Sequence, residues 1–134
     1  MNPAGIFYMS RPSHIFIAVN FKQNSIFAGL RFVFSKDEDW IIARCPELEL
    51  SDQGKTEAEA AENLSDMIGT TLISAIELGK LESHLEDLGF KGVWTQGHTR
   101  LFSLDVDRRV KGSFHEIDVK IPRRVSDSLD IIYN

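Results

Sequence analysis

A chain of 134 residues, 43% hydrophobic and 26% charged, has enough apolar material for one core and too little length for two ordinary domains. Its single cysteine, Cys45, excludes an intramolecular disulfide and points to a reducing, cytoplasmic setting. No apolar run approaches the roughly 20 residues of a membrane-spanning helix, and the start MNPAGIFYMSRPSHIFIAVNFK lacks the pattern of a secretion signal.

The net charge of −5 is unevenly spread. Residues 1–36 carry four bases and no acid, residues 37–89 fourteen acids and three bases, and residues 90–134 eight bases and six acids. A middle segment of net −11 by this count repels a phosphate backbone and attracts a basic partner. The plainer alternative is that these acids only solvate a helix face.

In chain order, residues 1–24 give no sharp periodicity, although HIFIAVNF has strand-like residues, and they are expected to form an N-terminal extension to a single domain spanning 1–134. From Ser25 the pattern is a strand, with Ala28, Leu30, Phe32 and Phe34 on one face and Arg31 on the other. SKDED is a polar hairpin turn. WIIARC is a second strand, with Ile41, Ala43 and Cys45 on one face, ended by Pro46. LEL reads as a brief third strand with Leu48 and Leu50 inward. Gly54 is expected to supply backbone freedom for a tight turn. Thr56 and Glu59 have the spacing of a capping box. Apolar residues then recur at helical intervals through Ala60 or Ala61, Leu64, Met67 or Ile68, Leu72, and Ala75 or Ile76. Gly79 ends that helix, KLESHLEDLGF forms a short second one, and Gly89 ends it in turn.

After Gly92 strands return. RLFSLDV places Phe102, Leu104 and Val106 on one face, and HEIDVKIP places Ile117, Val119 and Ile121 on one face. DRRVKG between them is expected to be a hairpin connection. The order of strands, helices and strands defines an α+β fold: a small antiparallel sheet with one long and one short helix, and C-terminal strands in the segment 100–134.

DWIIARCPELELSDQGKTEAEAAENLSDMI resembles the HicB antitoxin family through Trp40, Cys45, Pro46, Glu47, Leu48, Gln53, Gly54, Thr56, Glu59, Ala60 and Leu64. The resemblance covers about 28–92, and Lys55 stands where that family usually has Asp. It implies a partial ribonuclease-H-like β-β-β-α-β core. It also implies a partner, a small basic HicA-type toxin that cleaves messenger RNA and is neutralised when the antitoxin covers it. The acidic middle suits that task. The tail HEIDVKIPRRVSDSLDIIYN looks like the first strand and helix of a ribbon-helix-helix but stops before a second helix, so direct DNA binding is not expected.

Residues of two kinds follow. Pro46, Leu48, Gly54, Thr56, Glu59 and Ala60 are a fold signature. Trp40, Arg44, Glu47, Glu49 and Asp52 are candidates for a toxin interface, the first two because Trp and Arg are enriched at interface hot spots; the equal alternative for those two is cover by the extension at either end of the chain. Catalytic residues, metal ligands and cofactors are not expected. Two-metal hydrolysis needs converging carboxylates, and the first core strand offers only Arg31. The histidines lack metal-ligand spacing, and Cys45 lies on an apolar face. The expectation is therefore an antitoxin, with an orphan structural or RNA-associated module as the alternative. Exposed sheet edges further imply a homo-dimer or higher oligomer, paired through the strand around Glu116–Ile121.

Overall fold

The computed structural model describes residues 14–106, 111–123 and 125. Seven strands and two helices follow in the order β1 (His14–Asn20), β2 (Ser25–Asp37), β3 (Trp40–Cys45), a 3-10 turn (Pro46–Leu48), β4 (Leu50–Gly54), α1 (Glu57–Glu77), α2 (Leu81–Asp87), β5 (Lys91–Thr95), β6 (Thr99–Asp105) and β7 (Ser113–Lys120). The fold is α+β, with a long and a short helix on an antiparallel sheet.

That sheet has seven strands in the order β4-β3-β2-β1-β6-β5, with β7 paired to β2. It is larger than the sequence pattern suggested, because β1 and β5 belong to it. β1 occupies the stretch expected to be an extension, yet it lies between β2 and β6. The thirteen-residue β2 changes partners along its length. Residues 25–32 pair with β7, and residues 33–37 pair with β3.

Two local expectations need correction. The third core strand is not LEL. Pro46 begins a 3-10 turn, for which its fixed φ is suited, and Glu49 takes a left-handed φ of 58°. The strand starts only at Leu50. Nor do β6 and β7 form a hairpin, because β6 pairs with β1 and β5 while β7 pairs with β2. The β1–β2 hairpin inserts between them, and residues 107–110 of the expected turn lie outside the described residues. Residues 126–134 of the expected tail helix also lie outside them.

One sheet face is dry. Ile15, Ile17, Val19, Ile26, Ala28, Leu30 and Phe32 are fully buried, as are Ala60, Leu64 and Ile68 of α1. Burying each large aliphatic side chain stabilises the fold by about 1.5–3 kcal/mol. Gly69 allows α1 to approach β7, since a Cβ there would lie 3.1 Å from Val119 Cγ2. Gly79 takes a φ of 68°, and the amides of Gly79 and Lys80 donate to the carbonyls of Ile76 and Ala75. This is a Schellman stop, a conformation that glycine adopts without steric cost.

Candidate functional site

The junction between β3 and α1 is built from backbone requirements. Thr56 is the N-cap of α1, and its Oγ1 accepts the Glu59 amide at 3.1 Å. The reciprocal arm is displaced by one residue, with the Glu59 carboxylate accepting from the Lys55 amide. Asn63 Nδ2 donates to the Gln53 carbonyl at 2.9 Å and ties α1 to β4. Gly54 is buried in β4 and is not among the residues of positive φ. Its role is close approach rather than turn freedom, because a Cβ would lie 2.5 Å from the Ala60 nitrogen. Pro46 opens the 3-10 turn, and Leu48 and Ala60 are core residues.

The five interface candidates do not form one patch. Arg44 is exposed and paired with Val33, on the sheet face opposite the dry one. Trp40 shares that parity and is 37% exposed, with Lys55 Nζ 3.9 Å above its ring. Glu47 is turned inward: its carboxylate is ion-paired with Arg31, and 8% of its side chain is exposed. Glu49 is exposed at the left-handed turn. Asp52 pairs with buried Ala43 and therefore faces α1.

The acids that do converge lie along α1. A shallow depression of about 420 Å³ is lined by Asp52, Asn63, Asp66, Met67, Thr70 and Thr71. A second, of about 430 Å³, runs between α1 and β7 and is lined by Ser65, Asp66, Gly69, Thr70, Ile73 and residues 116–119. Asp66 and Thr70 belong to both, so the two join along α1 with Asp52 and Asp66 as their acids; Glu116 and Asp118 border the second through β7, but pairing with Gly29 and Phe27 turns their side chains to the opposite sheet face. The available signal in the sequence was Asn63, Asp66 and Thr70 at helical spacing beside the buried stripe. Such an open, acidic surface suits a cationic protein segment.

Other reactive groups are occupied structurally. Cys45 is fully buried, and burial pushes its thiol up to about 12, so it stays protonated. His115 stacks on Phe32 with centroids 4.3 Å apart, and its Nε2 lies 2.9 Å from Ser113 Oγ. Among the described residues, no three His, Cys, Asp or Glu side chains gather as a metal site. No described helix is long and apolar enough to cross a membrane. No family model, curated protein or solved structure matches the chain.

Proposed function

We propose that this chain is a cytoplasmic HicB-like antitoxin that binds a small basic, mRNA-cleaving HicA-type toxin and occludes it. The observation that carries the reading is the open, acid-bearing depression along α1, where Asp52 of β4 and Asp66 of the helix come together. The resemblance in 28–92 supports it independently. Complementary charge accelerates encounter, and close packing over the captured surface slows release. No bond is made or broken by the antitoxin in this scheme; inhibition is steric.

The test is co-expression with the basic product of the adjacent gene, scored by growth rescue, together with binding rates across ionic strength. Asp52→Asn and Asp66→Asn together should slow association and flatten its salt dependence while leaving the thermal melt in place. Equal association rates at low and high salt would remove the electrostatic account. Absence of any basic partner that the chain neutralises would remove the antitoxin reading.

A further inference from the structure

The sheet face opposite the dry one carries ordered rows of side chains, fixed by strand register. One row reads Val93, Leu101, Ala18 and Phe27, ending at Asp118 on β7. The next reads Lys91, Ser103, Phe16 and Gly29, ending at Glu116. Gly29 leaves room for aromatic rings: a Cβ there would lie 2.4 Å from Phe114 Cζ and 2.5 Å from Phe16 Cε1. Phe16 and Phe27 have ring centroids 5.6 Å apart. Val93, Phe27 and Phe114 are 52%, 40% and 41% exposed. An apolar patch spanning several strands is more than scattered surface hydrophobicity, and such patches mark interaction sites.

The charges around it identify the occupant. The five strands run β5-β6-β1-β2-β7, so β1 is central. Lys91 lies on one outer strand and Glu116 on the other, in the same row. A two-fold axis along β1 would place Lys91 of each copy opposite Glu116 of the other, and Leu101 opposite Phe27. Isologous surfaces must be self-complementary in this manner. Five strands about 4.8 Å apart and about 24 Å long give a footprint of roughly 24 by 24 Å before side-chain relief is counted, close to one side of a standard interface. Across the five strands, and beside the ion pair of Arg31 with Glu47, register gives this face Lys91 and Lys120 against Asp105, Glu116 and Asp118, so it lacks the cationic excess that a phosphate backbone requires, which disfavours nucleic acid as the occupant.

We infer that this outer face packs against a second copy of the chain, sheet on sheet, with the two-fold axis along β1. The interface is distinct from the acid-bearing face along α1 and does not depend on the toxin reading. It also relocates self-association from the edge of β7 to the face of the sheet.

The full chain is examined by sedimentation and light scattering from about 1 to 200 µM. The wild type should be a dimer. Lys91→Glu and Glu116→Lys should each weaken dimerisation at least about tenfold, because every dimer would contain two repulsive contacts. The double reversal should recover most of that loss. Within one chain these residues are four strand spacings apart, about 19 Å, so recovery reports a contact between copies. Phe27→Lys and the milder Phe27→Ser, both at an exposed position, should keep a cooperative melting transition, lose its dependence on protein concentration and favour monomer.

A monomeric wild type at 200 µM would overturn the inference. So would a dimer indifferent to Phe27 and Lys91, which would indicate edge pairing. A full-length monomer that dimerises only after removal of residues 1–13 would show that the chain's own N-terminal segment occupies the face. Binding of a single-stranded RNA oligonucleotide that depends on Phe27 would make the face a nucleic-acid platform. If the single reversals weaken the dimer and the double reversal does not restore it, the proposed axis is wrong.

Discussion

The guanidinium of Arg31 on β2 is ion-paired with the carboxylate of Glu47 in the turn after β3, with 11% and 8% of the two side chains exposed. The pair joins residues 16 positions apart and anchors the turn to the outer sheet face. Neutralising Glu47 removes the charge from a hydrogen bond held in a poorly hydrated site, and bonds to charged groups contribute about 1.5–3 kcal/mol. Glu47→Gln should therefore lower the stability by about 2 kcal/mol in urea titration. A change below about 0.5 kcal/mol would place the pair among weak surface bridges.

Gly54 and Gly79 should respond differently to alanine. At Gly54 a Cβ meets helix backbone, with Ala60 N at 2.5 Å and the Glu59 carbonyl carbon at 2.9 Å. Backbone must shift to admit it, and overpacking of this kind costs about 1–3 kcal/mol or more. At Gly79 nothing lies within 4 Å, and only the left-handed φ of 68° opposes substitution, at about 1 kcal/mol. The expected order of denaturation midpoints is wild type, then Gly79→Ala, then Gly54→Ala. Equal losses would refute the close-approach explanation.

Thr56→Ala tests the helix cap alone. It removes the acceptor for the Glu59 amide and should cost about 1 kcal/mol. Thr56→Ser should retain most of that stability in the same thermal melts.

His115 gives the fold a pH dependence. Burial lowers its pKa from the ordinary value of 6.5, so the unfolded chain takes up a proton at a higher pH than the folded one. This contribution is fully present above about 6.5 and is lost as pH falls through the lower folded value. Urea midpoints should decline as pH falls below that point, ahead of the carboxylate range. His115→Phe retains a ring against Phe32 and should flatten this segment of the profile. An unchanged slope in the variant would assign the dependence to other groups.

Legibility from sequence followed the local signal. Ala28–Phe32 and Ile41–Cys45 alternate between a dry and a wetter environment, so period two was visible. β1 gave no such contrast, because Ile15, Ile17 and Val19 are fully buried while Phe16 and Ala18 between them are also apolar and partly buried. A strand that is apolar on both faces reads as a continuous apolar run. β5 is five mostly exposed residues containing a glycine, and short strands of that kind carry little pattern. The helix ends were readable because Thr56, Gly79 and Gly89 meet local backbone needs. Glu47 was placed at an exposed interface because acids usually face water; its partner on β2 is set by tertiary packing. For the same reason the convergence of Asp52 and Asp66 could not be read from spacing alone.

The division of β2 between β3 and β7 has a consequence for synthesis and folding. Residues 33–37 find their partner within a few positions, whereas residues 25–32 pair with β7 only after both helices and four further strands have been made. Loop-closure entropy must be overcome before that distant pairing stabilises the chain, which makes contacts of this type slow to form. On the ribosome, the β2–β3 hairpin can close early while the remainder of β2 still lacks its β7 partner. A nascent or truncated chain ending before Ser113 would present that half-strand as an open, hydrophobic edge of the kind that recruits other chains.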